Sequence, residues 1–197
     1  SRKWQPNSVV ETGRGFVVSG NTIRDVARSN TMDLTTVLVK SSNIGVARVA
    51  LSMPPDVLWN LYKNLGVGSR TTLGIYGEQT GRLGDVKPWQ RNALEHATKS
   101  FGYEISVSVA RLAQMFSVFA NDGVYQPLTI IKNPPKTEDR VPKRIFSKNV
   151  NDSMVYMLER VVTDNAISKA KVANYRVAGK SGTARKIENG RYSSSKH

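Results

Sequence analysis

Gly179-Lys180-Ser181-Gly182-Thr183-Ala184 is the stretch from which the fold and chemistry of these 197 residues are best read. On an extended chain Ser181 and Thr183 lie two apart, so both hydroxyls point to one face. Gly182 between them leaves room for another backbone to lie alongside. Lys180 adds a fixed positive charge. The combination suits a carboxylate grip and predicts the inner edge strand of an active site, running from Tyr175 to Ile187. Lys-Ser-Gly alone reads equally well as a basic turn at a strand end, so the rest of the chain has to supply the other parts in order.

The length is enough to bury a core as one domain or a large piece of one. A hydrophobic content of 39% with 8% aromatics fits a soluble globular chain. No apolar run reaches membrane-spanning length and no signal-peptide pattern opens the chain, so any membrane anchor is expected outside it. With no cysteine, disulfide scaffolds, thiol catalysis and zinc ribbons are excluded, which suits an extracytoplasmic setting. The net charge is +14, of which +5 accrues up to residue 131 and +9 after it. The basic residues are scattered singly, without a Lys/Arg block or an aromatic-glycine RNA signature. A nucleic-acid partner is therefore supported by charge alone. A basic face toward anionic lipid headgroups or an acidic wall polymer fits the same balance.

Working outward, Phe16-Val17-Val18 reads as a strand between turns at Thr12-Gly13-Arg14-Gly15 and Ser19-Gly20-Asn21. Asp33 is placed to cap a helix over Leu34 to Val39. Ile44 to Met53 resumes a helical pattern with Ile44, Ala47 and Leu51 on one face. Pro54-Pro55 ends that helix and opens another, whose apolar stripe is Val57, Leu58, Leu61, Tyr62 and Leu65, closed by Gly66. A glycine-punctuated loop is expected to Pro88, then a short helix or irregular connection over Trp89 to Lys99 and a turn at Ser100-Phe101-Gly102-Tyr103. Ser108 caps an amphipathic helix with Val109, Leu112, Met115, Phe116 and Phe119 expected inward, closed at Gly123. A proline-bearing basic linker runs from Asn133 to Pro142. Asn151 or Asp152 is read as the start of a further helix burying Met154, Val155, Leu158, Val161 and Val162. Asn189-Gly190 is a hairpin signal, with its returning strand expected to be missing.

Ser-x-Asn occurs three times, at Ser19, Ser41 and Ser147, and the triplet alone is weak. Only Ser41-Ser42-Asn43 sits in a break between two helical segments, where side chains can turn into a cleft. Four stretches together carry a resemblance: Ile23 to Arg28, Val39 to Val46, Ala97 to Tyr103, and Lys180-Ser181-Gly182-Thr183-Ala184. They resemble the division-specific class B penicillin-binding proteins, the peptidoglycan D,D-transpeptidases of the bacterial septum, from about Trp4 to Tyr192. Lys-Ser/Thr-Gly is the last of that family's three motifs.

The resemblance implies an α+β transpeptidase fold, an antiparallel sheet with a helical subdomain, truncated at both ends. It implies catalytic roles for Ser41, as proton relay to the leaving D-alanine, and for Lys180, which keeps the site positive. Asn43, Ser181, Gly182 and Thr183 would bind substrate: Asn43 an amide of the stem peptide or a β-lactam carbonyl, Ser181 and Thr183 the terminal carboxylate. The Thr183 N–H would form half of an oxyanion hole. Tyr103 would either line the groove or pack in the loop. The implied partners are the D-Ala-D-Ala stem peptide, β-lactams and other division proteins at the periplasmic face of the inner membrane, with no cofactor, no metal and no nucleic acid.

One departure stands out. The family's nucleophile comes from a Ser-x-x-Lys segment upstream of Ser-x-Asn, and nothing before Ser41 matches it. Ser168-Lys169-Ala170-Lys171 and Ser193-Ser194-Ser195-Lys196 fit the letters but come too late. A shortened or fused chain and a companion chain or segment carrying that helix both account for this. These residues expressed alone are expected to be inactive and poorly soluble, their apolar faces uncovered. A non-catalytic scaffold module of the division machinery is the alternative reading.

Overall fold

The computed structural model describes residues 4–164, 168–182, 187–188 and 191–192. The architecture is α+β, with the described strands paired two by two. β1 (Val9–Glu11) precedes the hairpin of β2 (Phe16–Val18) and β3 (Asn21–Ile23), and β4 (Thr31–Asp33) returns to pair antiparallel with β1. Asp33 ends β4 and caps α1 (Leu34–Lys40), accepting from Thr36 N at 2.7 Å. α2 (Asn43–Leu51) follows after a two-residue break, and α3 (Pro55–Asn64) starts at the proline pair, where a missing N–H is harmless.

The Trp89 region forms two short helices, α4 (Lys87–Arg91) and α5 (Ala93–Ser100). Asn92 ends the first and caps the second, its side chain accepting from Leu94 N at 2.9 Å. α6 (Val109–Ala120) is capped by Ser108, and β5 (Val124–Tyr125) pairs antiparallel with β6 (Lys143–Arg144). α7 (Lys148–Thr163) packs on α1. β7 (Ile187–Glu188) and β8 (Arg191–Tyr192) close the described chain as an antiparallel pair.

Two apolar clusters hold these pieces. Val18, Ile23, Ile44, Ala47 and Ala97 join the first hairpin to α2 and α5, with Phe16, Leu51 and Phe101 against them. Ile44 and Ala47 are completely buried, and burying a side chain of isoleucine size contributes roughly 1.5–3 kcal/mol. Val67, Leu83 and Trp89 form the second cluster under α3, with Leu58, Tyr62 and Met115 packed on it.

Several expectations are corrected. On α6 Val109, Leu112 and Phe116 are exposed, while Arg111, Gln114 and Val118 are buried. The inward face carries two polar side chains beside Val118 and Met115 because loops fold onto it. Arg111 Nη2 donates to the carbonyls of Ser69 (3.2 Å) and Arg70 (2.6 Å), its Nη1 to Gln114 Oε1 (2.6 Å) and to the Tyr125 hydroxyl, and Gln114 Nε2 to the carbonyl of Gln126 (2.7 Å). Gly66, at φ +82, lies beneath that guanidinium; a Cβ there would sit 2.3 Å from Arg111 Nη1. Val57 on α3 is exposed as well. α7 starts at Lys148, three or four residues early, capped by Ser147, whose Oγ accepts from Val150 N (3.4 Å). Asn151 is buried inside the helix and donates to the Phe119 carbonyl at 3.1 Å.

The expected strand from Tyr175 to Ile187 is absent among the described residues, 171–182 being irregular. A strand needs a partner ladder, and none of the described strands lies beside that segment. The returning strand read as missing is present in miniature as β8, with Ile187 opposite Tyr192.

Candidate active site

The joint between α1 and α2 comes first. Ser41 takes a left-handed conformation (φ 54, ψ 47), and the N–H groups of Ser41 and Ser42 close on the carbonyls of Leu38 (3.2 Å) and Val37 (2.9 Å). This is the closure usually made by glycine; a serine there places a hydroxyl at the bend. Ser42 then caps α2, accepting from Gly45 N at 2.9 Å. A Cβ on Gly45 would meet Val37 Cγ2 at 2.5 Å, so glycine alone lets the helices approach this closely.

Asp25, in the loop after β3, fixes the start of α2. Its Oδ2 accepts from Ser42 Oγ at 2.5 Å and its Oδ1 from Ile44 N at 3.0 Å. An anion at a helix N-terminus is favoured by the dipole and by the unpaired amide hydrogens there. Between the two residues that Asp25 holds stands Asn43, half-buried as the first residue of α2. The carboxylate thus orients the turn carrying both Ser41 and Asn43.

Lys180 arrives from the far end of the chain. Gly179 N donates to the Leu158 carbonyl of α7 at 3.2 Å, and α7 packs on α1. Lys180 Nζ donates to Ser41 Oγ at 2.6 Å and to the Ser181 carbonyl at 2.8 Å. Burial pushes its pKa below the usual lysine value, because a half-desolvated ammonium is disfavoured. Among the described residues no carboxylate pairs with it. An unneutralised cation on a serine hydroxyl can attract an anionic group and pass a proton through that hydroxyl.

The structure therefore brings Ser41, Asn43 and Lys180 to one place. Ser181 and Gly182 are exposed beside them, and nothing lies within 4 Å of a Cβ built on Gly182. Thr183 lies outside the described residues, as does Ser193-Ser194-Ser195-Lys196. Tyr103 packs edge-to-face on Phe101 at 5.5 Å between ring centroids, and Phe101 lies against the Ile44 cluster. Among the described residues no group of His, Asp or Glu side chains is placed to hold a metal ion. Sequence reasoning missed Asp25 and Gly45. Asp25 did fall within the quoted Ile23 to Arg28 stretch, but its cap acts on a helix start 19 residues away, which no local pattern signals.

Comparison with known proteins identifies the family. The family model described as the penicillin binding protein transpeptidase domain matches residues 1–197. The chain is similar to the probable peptidoglycan D,D-transpeptidase PbpC of Pseudomonas aeruginosa, 39% identical over 94% of this chain and 32% of that protein. It is similar to peptidoglycan D,D-transpeptidase FtsI of Escherichia coli strain K12, 38% identical over 94% of this chain and 31% of that one. The apo structure of the TP domain of penicillin-binding protein 3 from Burkholderia pseudomallei superposes with a TM-score of 0.87 at 38% identity, over 98% of this chain and 58% of that one. The chain thus spans about a third of the length of these curated relatives. With the family model running from end to end and the fold shared with a solved member, the chain belongs to the penicillin-binding-protein transpeptidase family.

Proposed function

We propose that this chain supplies two walls of the active site of a peptidoglycan D,D-transpeptidase of the FtsI kind, one that cross-links stem peptides during septal wall synthesis and is acylated by β-lactams. The observation that carries the reading is the 2.6 Å hydrogen bond from Lys180 Nζ to Ser41 Oγ, which joins two motifs 139 positions apart.

The nucleophilic serine, with its Ser-x-x-Lys lysine, comes from a part of the protein outside residues 1–197. It gives its proton to that lysine as its oxygen bonds to the carbonyl carbon between two D-alanines, and the C–N bond breaks as Ser41 passes a proton to the departing amine. An amine of a second stem peptide then takes the acyl group and releases the serine. Lys180 draws in the substrate carboxylate, which Ser181 and Thr183 hydrogen-bond, while Asn43 holds a stem-peptide amide and Gly182 gives clearance. The protein works at the periplasmic face of the inner membrane alongside other division proteins, its anchor lying outside this chain. Among the described residues no helix is long and apolar enough to cross a membrane.

The test is covalent labelling of the full-length protein by a fluorescent penicillin. Wild type is expected to label, and Ser41→Ala or Lys180→Ala to slow labelling by about 10²-fold or more. A full-length protein that folds and takes no label leaves the scaffold reading in its place.

A further inference from the structure

A groove lined by neither Ser41 nor Lys180 lies between α3 and β6. Met53, Val57, Leu61 and Ile145 line a hollow of about 390 Å³, with the exposed Lys143 and Arg144 as its cationic rim. α3 presents apolar rows in two directions: Leu58 and Tyr62 pack on the Trp89 cluster, while Val57 and Leu61, one turn apart, face the groove. Val57 is 49% exposed there.

The two cations are held but not neutralised. Lys143 Nζ donates to Asn64 Oδ1 at 2.8 Å, and Arg144 Nη1 donates to the carbonyls of Asp122 (2.9 Å) and Phe146 (3.0 Å). All three acceptors are uncharged, and among the described residues neither cation forms an ion pair. Fixing the side chains on neutral partners removes part of the ordering entropy that a ligand would otherwise have to overcome.

We infer that this groove docks an acidic amphipathic segment of a partner protein. Apolar side chains one helical turn apart seat on Val57, Leu61 and Ile145, and flanking carboxylates meet Lys143 and Arg144. Charge argues against a second copy of this chain as occupant, since a net charge of +14 repels itself. The unneutralised Lys143 and Arg144 beside apolar Val57 and Leu61 argue for a carboxylate-bearing amphipathic partner, and an anionic bilayer is tested against it.

The test uses the full-length protein in detergent and three dye-labelled helical peptides, with leucines at i and i+4 spacing and Glu, Lys or Gln between them, read by fluorescence anisotropy. The Glu peptide is expected to bind, weakening with salt. K143E/R144E is expected to weaken it about tenfold and to make the Lys peptide the better ligand, with penicillin labelling unchanged. Val57→Asp, which leaves the rim intact, is expected to weaken both the Glu and the Gln peptide. No binding of the Glu peptide overturns the inference, as does binding indifferent to K143E/R144E. Rim-dependent binding to phosphatidylglycerol vesicles in place of the peptide, or rim-dependent self-association, overturns it equally. Because penicillin labelling is read separately, failure of the groove and failure of the transpeptidase reading are distinguishable.

Discussion

Replacing Asp25 by alanine in the full-length protein is expected to destabilise the transpeptidase domain and slow its acylation together. The variant removes the acceptor of two hydrogen bonds, from Ser42 Oγ (2.5 Å) and Ile44 N (3.0 Å). A hydrogen bond to a charged partner contributes about 1.5–3 kcal/mol, and a buried hydroxyl left without an acceptor costs about 1–3 kcal/mol. Ser42 is 1% exposed, so water does not replace the lost carboxylate. The two losses overlap, because the Ser42 bond is counted in both. The net is about 2–4 kcal/mol, which for a domain of this size lowers the midpoint of thermal unfolding by about 5–10 °C. Asp25→Asn retains an acceptor for Ile44 N but not the charge, and is expected to lose about half as much. Thermal unfolding by circular dichroism gives the first reading. A double-mutant cycle with Ser42→Ala gives the second, with an expected coupling of about 1 kcal/mol or more. The reasoning is refuted if Asp25→Ala melts within about 1 °C of wild type, or if the two losses add without coupling.

Three further outcomes follow from the same structure. Gly66→Ala forces a side chain into a left-handed backbone and against Arg111; it should cost about 2–4 kcal/mol in chemical denaturation, whereas substitution of Gly13, where nothing lies within 4 Å, should cost only its backbone strain. Burial lowers the pKa of Lys180, so the folded protein releases its proton at a lower pH than the unfolded chain. Labelling by penicillin should therefore lose its cation, and fall, below the ordinary lysine pKa of 10.5, and Lys180→Arg should remove that alkaline limb. His96 is buried with its Nε2 unpaired, stacked on Trp89 at 6.5 Å, and its pKa is lowered by burial. Below about pH 6.5 the unfolded chain takes up a proton that the folded one refuses. Stability should fall as pH drops from there to the folded pKa, and His96→Phe should flatten that acid slope in unfolding curves.

Much of the local structure was legible because its cause is local. Asp33 and Ser108 cap the helices expected of them, the prolines at 54 and 55 mark the joint before α3, and Ser19-Gly20 turns the first hairpin. The Ser41 break was legible as a bend between two helical patterns. What escaped was set by partners distant in the chain. Val109, Leu112 and Phe116 of the expected α6 stripe point to solvent while Met115 and Phe119 stay packed, because Arg111 and Gln114 bind carbonyls of loops at 69–70 and 126, which periodicity cannot see. Asn151 looks like a cap by type, yet its amide serves Phe119 on another helix. Residues 175–182 have strand-like composition, but strand is a property of a pair, and no described strand runs beside them.

The bond between Lys180 and Ser41 also sets an order of events as the protein is made. The bend with Ser41 and Asn43 leaves the ribosome ahead of Lys180 by 139 residues, a lag on the order of ten seconds. Throughout that interval the young chain holds a hydroxyl and an amide with no ammonium to draw an acid toward them. On the proposed function, capture of a carboxylate at that bend waits until the Gly179 N–H has docked on the Leu158 carbonyl of α7.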